Sequence, residues 1–173
     1  MPHFIDSLDT SEYHPYQAHY INLVQENDPL AYLPEQTTIE TEMINDLRDD
    51  QLGYRYEECK WTIAEVWLHI IDTERVMAHR AHWIARGLPS PLPGFDQDDC
   101  ARYAPASSYT RQDLIDELQT VRQSTVQMYR HLPEERLLAK CEVSGADMSV
   151  RALLGVISGH SLHHQRVLRE RYL

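Results

Sequence analysis

SVRALLGVISGHSLHHQRVLRERYL, residues 149–173, carries apolar side chains at three- and four-residue intervals and sets three histidines among them. That spacing predicts a helix from Ser149 to about Arg171, with a basic last turn that complements the helix dipole. At 100° per residue, Leu153, Val156, Ile157, His164 and Val167 all fall within about 60° of His160, so the His160/His164 pair shares the apolar face and points at a core. His163 lies at the edge of that face and Leu162 opposite it. Two imidazoles one turn apart can grip a single ion. A pair at this spacing is also expected about half a time by chance in a chain with ten histidines, so spacing alone does not choose between a metal and ordinary core histidines. Burial changes the weighing, because an unpaired buried polar group costs about 1–3 kcal/mol. A metal would satisfy one nitrogen of each ring and leave the other for an acidic or carbonyl partner.

Working outward, a second strongly periodic segment runs from about Thr62 to Arg86, with Thr62 or its predecessor as cap and Gly87 and Pro89 as stop. Its densest apolar face holds Ile63, Val66, Ile70 and Met77, and His69 flanks that face. His79 and His82 fall on the far side, as solvated surface groups. Thr110, with Asp113 three residues on, caps a helix to about Leu132 that Pro133 ends. An earlier helix is expected over Pro34–Leu47, after a break at Asp28-Pro29 to Pro34, and an amphipathic stretch near Tyr16–Val24 precedes it. Residues 87–109, GLPSPLPGFDQDDCARYAPASSY, contain four prolines and two glycines and form a long connection of the sort that often carries function. A short polar connection, Ser144–Asp147, leads into the last helix. The expectation is a single all-α domain over residues 1–173: an antiparallel four-helix bundle with an additional N-terminal helical segment.

Composition narrows the function. With 27 Asp and Glu against 16 Lys and Arg, the net charge of −11 opposes nucleic acid and anionic lipid. The apolar runs are short and broken by charges, and MPHFIDSLDT lacks a basic region followed by an apolar segment. No membrane partner is therefore expected, and a cytoplasmic location is. Cys59, Cys100 and Cys141 are odd in number and widely spaced, which reads as reduced, partly buried thiols. His3, His14, His19 and His131 have no partner at metal-binding spacing.

KWTIAEVWLHIIDTER at 60–75, PLPGFDQD at 91–98 and the 149–173 stretch together resemble the DinB/YfiT-like metal-dependent superfamily of four-helix bundles. The resemblance covers nearly the whole chain and is strongest from Lys60 onward. It implies a divalent ion, zinc or nickel, held by His69, His160 and His164. Three protein ligands leave an open position, the pattern of a catalytic site. Members of the family use a low-molecular-weight thiol for S-transfer or isomerisation, or are labelled hydrolases, so the implied function is a metal-dependent enzyme that activates a thiol or water toward a small molecule. A non-catalytic, metal-stabilised or ligand-sensing bundle is the alternative. Cys59 stands where relatives often have glycine. Among helpers, Asp72 and Glu74 follow His69 and are candidates to orient its imidazole or to act as general base, with Glu74 the better inward candidate or else an exposed salt-bridge partner; Arg75 and Arg166 are candidates for a substrate carboxylate or for surface ion pairs, and Phe95, Asp96 and Asp98 for a roof over the pocket or for a solvated acidic connection. Trp83, Ile84 and the back of the last helix offer a surface for a homodimer, or for the front helices to pack across.

Overall fold

The long helices begin where a hydroxyl side chain caps them. In the computed structural model, which describes residues 8–26, 28–89 and 91–173, the Thr62 hydroxyl accepts from the Glu65 amide (3.2 Å) and the Glu65 carboxylate from the Thr62 amide (2.6 Å). This reciprocal box starts α3, Ile63–Ala85, which ends at Gly87 with a positive φ of 68°. The same device at Thr110 and Asp113 starts α5, Arg111–Arg130, and, after the one-turn α6, Glu134–Leu137, Ser149 caps α7, Val150–Arg171. These three boundaries follow the sequence pattern.

The first bundle helix departs from it. α2 spans Pro29–Asn45 and runs straight through Pro34, where a break was expected. Pro29 occupies the first turn, where its missing N–H costs nothing, and Asp28 caps the amides of Leu30 (3.0 Å) and Ala31 (3.4 Å). Leu33, just before the interior proline, is fully buried, and its packing offsets the roughly 3 kcal/mol that a mid-helix proline costs.

Around the bundle the order is α2, α5, α3, α7, so chain neighbours α2 and α3 lie diagonally. Helix directions follow from side-chain pairs. His69 meets His160, and Trp61 meets Tyr172, so α3 and α7 are antiparallel. Arg111 reaches Leu47 while Arg122 reaches Leu33, so α2 and α5 are antiparallel too. The other two neighbouring pairs run the same way, with Gln36 on Ser158 and Glu40 on Gln165, and with Arg75 on Glu117. A parallel α3/α5 pair requires the chain to return along α3, and the proline-rich connection does this. Phe95 lies beside Arg80, and Cys100 donates to Asp72 at 3.6 Å. That connection contains a further short helix, α4, Gln97–Tyr103, capped by Asp96.

Between Tyr16 and Val24 the chain forms not one helix but a 3-10 turn, the one-turn α1 (Ala18–Ile21) and a second 3-10 turn. It presses onto α7 at Gly159, where a Cβ would collide with the Tyr20 carbonyl. The ion pair between Glu12 and Arg151 (2.7 Å to Nε) ties the preceding residues to the same helix. His3 lies outside the described residues. The expected polar connection before α7 is instead a hairpin, β1 (Lys140–Val143) with β2 (Ala146–Ser149). Ser144 and Gly145 both have positive φ, 53° and 84°, the signature of a two-residue type I′ turn. Leu92 bridges to its edge at Val143. Ile84 is core rather than surface, and the Trp83 indole donates to the Pro89 carbonyl (2.6 Å). No helix among the described residues is long and apolar enough to cross a membrane.

Two apolar clusters make the core, one around Ile63–Ile71, Leu114 and Leu168, the other around Met77–Ala85, Tyr129 and Val150–Ile157. Most buried polar residues of the bundle helices fall between them: Gln36 and Glu40, then His69, Thr73 and Glu74, then Arg122, then Ser158, His160, Ser161 and Gln165, whereas Arg80 and Thr125 lie among the residues of the second cluster. A polar layer crosses the bundle at mid-height.

Candidate metal centre

One half of that layer belongs to α3 and α7. His69 and His160 are buried, 5% and 4% exposed, and His164 is half-buried. Their nearest ring nitrogens all lie within 4.8 Å of one another, and the Nε2 atoms of His69 and His160 are 2.9 Å apart. The ring of His164 makes no hydrogen bond among the described residues. Loss of water pushes the His69 imidazole down to about 4 and that of His164 to about 3, and holds His160 well below the ordinary histidine range; the neighbouring imidazoles push the same way. All three are neutral at pH 7, the state in which an imidazole binds a metal.

The donor set fits a divalent ion. Zinc–nitrogen bonds of 2.0–2.1 Å place tetrahedral ligand atoms about 3.3 Å apart, within reach of side-chain rotations from the separations here. Among the described residues no fourth His, Cys, Asp or Glu joins the group. Trp61 and Tyr20 pack their rings against His69 (4.7 Å between centroids) and His160 (5.1 Å). The acidic or carbonyl partner expected for each second ring nitrogen is not found among the described residues, and ring packing takes over the orienting role.

On the open side of His69 and His160 lies a cavity of about 220 Å³. Phe95 lines it, as the sequence led us to expect, with Gln97 beside it; Asp96 and Asp98 are exposed, Asp96 being spent on capping α4. Sequence reasoning missed several lining groups, Gln17 and Thr73 among them. Arg80 was hidden by its place between exposed His79 and His82, Ser144 by the unread hairpin, and Tyr20 by the irregular front segment.

Glu74, the expected general base, does not line this cavity. Its carboxylate accepts from Arg122 Nε at 2.8 and 3.1 Å, in the other half of the polar layer, and both side chains are 2% exposed. Glu40 completes that group: Oε1 accepts from Ser161 and from Gln165 (2.9 Å), and Oε2 stands 3.2 Å from Arg122 Nη2 without hydrogen-bond alignment. Burial pushes the Glu40 carboxyl up, and the guanidinium opposes this. Arg75 pairs with Asp72 (3.2 Å) and Glu117 (2.5 Å), and Arg166 is exposed. Cys59 is exposed rather than partly buried; Cys100 and Cys141 are half-buried, and all three are free thiols. His79 and His82 are exposed, as expected.

Comparison with known proteins agrees with the geometry. A curated protein of Oceanobacillus iheyensis, named as an inferred metal-dependent hydrolase, is 26% identical over 125 residues, 71% of each chain. YfiT from Bacillus subtilis, described as an inferred metal-dependent hydrolase with an unusual four-helix bundle topology, superposes with a TM-score of 0.67 at 15% identity, over 95% of this chain and 92% of YfiT. A DinB-like protein of Bacillus subtilis, YjoA, gives 0.60 at 22% identity, over 83% and 88%. A mycothiol-dependent maleylpyruvate isomerase gives 0.65 at 14%, over 80% of this chain but 58% of the isomerase. The sequence profile of the DinB superfamily matches residues 36–168, from the middle of α2 to the end of α7 and across all three histidines, and the chain belongs to that superfamily.

Proposed function

We propose that this protein is a metal-dependent enzyme that activates a low-molecular-weight thiol or a water molecule for S-transfer to, or hydrolysis of, a small molecule. The observation that carries the reading is the convergence of His69, His160 and His164 from two helices beside a cavity, with no fourth protein ligand among the described residues. His69, His160 and His164 would hold a divalent zinc or nickel ion, which when bound would supply Lewis acidity and lower the pKa of a thiol or water. The chain's own residues hold three neutral nitrogens in place, keep His69 and His160 out of bulk water, and leave beside them a cavity lined by Phe95 and Thr73 with room for a small guest. Glu74 enters as the buried counter-ion of Arg122, supporting α3 from behind, rather than as a base. The names of the relatives, a metal-dependent hydrolase and a mycothiol-dependent isomerase, agree with both nucleophiles.

The test is elemental analysis of untagged protein, followed by turnover assays with an electrophile and bacillithiol, mycothiol or glutathione, and with ester substrates and no thiol. One equivalent of metal and metal-dependent turnover in either arm is expected. Stoichiometric metal with no turnover in both arms favours the non-catalytic bundle, and absence of metal binding removes the proposal.

A further inference from the structure

Arg80 is 7% exposed, yet no carboxylate lies within ion-pairing distance of it among the described residues. Its Nη2 donates to the Pro93 carbonyl (2.9 Å) and, at 3.4 Å, to the Ser144 hydroxyl. Among the described residues its Nη1 meets only the Met77 sulfur (3.5 Å), and its Nε has no acceptor. The other buried arginine, Arg122, is matched by two glutamates. A buried cation without a counter-ion is costly, and burial accordingly pulls the Arg80 guanidinium below its ordinary range, with no neighbouring charge opposing.

This guanidinium opens into the cavity that His69 and His160 line, and two further polar atoms there lack partners. The Thr73 hydroxyl, on a residue 4% exposed, and the Gln17 amide oxygen are both buried without a hydrogen bond among the described residues. Thr73 and Arg80 lie one and three turns beyond His69 on α3, and the Arg80 side chain folds back toward Met77, so the guanidinium stands on the order of 10 Å along the helix from the histidines.

We propose that the cavity takes a small organic acid, whose carboxylate is received by Arg80 with hydrogen bonds from Thr73 and Gln17, while its other end reaches the three histidines. The Gln17 amide can turn to present its NH2 group, and with Nη2 held by Pro93 and Ser144 the guanidinium still has its charge and the Nε–H and Nη1–H donors, which point in different directions, so that one of them meets a carboxylate oxygen. The inference rests on the metal-enzyme reading for what happens at the histidine end, but not for the anion site itself.

The experiment uses ω-mercaptocarboxylates of three to eight carbons and the corresponding ω-mercaptoamides as probes, titrated by calorimetry into zinc-loaded protein. Hexanoate and hexanamide are titrated into metal-free protein in parallel. Wild type is expected to bind the acid at least tenfold tighter than the amide in both arms. Arg80→Gln should lose that preference with amide binding and zinc affinity unchanged, and Arg80→Lys should retain part of it. Thr73→Val, nearly isosteric, gives a smaller loss and guards against a folding defect in Arg80→Gln. Equal binding of acid and amide by wild type, or a preference that survives Arg80→Gln, overturns the proposal. Acid preference in the metal-free arm with no zinc binding in the other would keep the anion site and discard the metal reading.

Discussion

The two halves of the polar layer contain the same number of ionisable side chains, all three buried in one half and two of three in the other, yet they are finished differently. In the Glu40–Arg122–Glu74 half nearly every polar atom meets another from the chain: Arg122 Nη1 donates to the Leu33 carbonyl (3.2 Å) and Thr37 hydroxyl (3.3 Å), and Glu40 takes Ser161 and Gln165. In the His69–His160–His164 half the donors face one another and a cavity, and the described residues supply nothing to complete them. A closed network holds four helices in register. An open one is left for something else to close, and this contrast separates a structural cluster from a functional one more sharply than burial or residue type.

Arg122→Ala should have the largest consequence. It leaves two carboxylates buried without their cation, and breaking a buried pair in this way costs about 3–5 kcal/mol. Chemical denaturation of the metal-free protein measures it, and a loss below about 1 kcal/mol would show that the closed half contributes little to the fold. His160→Ala removes the most buried ligand of the open half and should do the reverse, leaving the metal-free fold standing while weakening zinc binding at least a hundredfold, or about 2.7 kcal/mol. Competition with a chromophoric chelator reads this out; unchanged affinity would mean that the ion binds elsewhere.

How much of this division could be read from the sequence depends on which residues needed a distant partner. Local rules turned the three histidines inward, His160 and His164 by a four-residue spacing on an apolar face and His69 by its flanking position on another helix, and the family resemblance made them one ligand set. The caps at Thr62, Thr110 and Ser149 were equally local. The closed half was not legible, because nothing near Arg122 or Glu40 in the chain says that residues about 80 positions apart will pair, and Glu74, read as inward, was assigned to the wrong half of the layer. Pro34 misled because the rule that proline breaks helices does not weigh the burial of Leu33. Ser144-Gly145 carried a usable hairpin signal between two four-residue strands too short to show alternation.

Gly159→Ala should act on the open half alone, and more gently. The added Cβ collides with the Tyr20 backbone, so the front segment must lift from α7, at a cost of about 1–3 kcal/mol. Because the Tyr20 ring packs on His160, the lift loosens one wall of the cavity, and hydrogen exchange should rise at residues 16–24 while the amides of α2 and α5 stay protected. Uniform loss of protection would mean that the two halves do not separate as described.

Protons act on both halves, and their signs differ between the two. The histidines have folded-state pKa values below the unfolded value of 6.5, so the unfolded chain takes up protons first as pH falls; their contribution is complete above 6.5 and is lost progressively toward 4. Glu40 has its pKa raised above 4.5, so the folded protein keeps that proton longer than the unfolded chain; its contribution is complete below 4.5 and declines as pH rises through the folded value. The stability of the metal-free protein between pH 4 and 7 is therefore the sum of a rising histidine limb and a falling Glu40 limb. Glu40→Gln should leave the rising limb alone, and His164→Gln should flatten it. Zinc replaces the proton competition with its own, so at saturating metal the rising limb steepens, because each histidine must be deprotonated to bind. A pH profile of the metal-free protein that is unchanged by His164→Gln would place that imidazole in water, outside the open half.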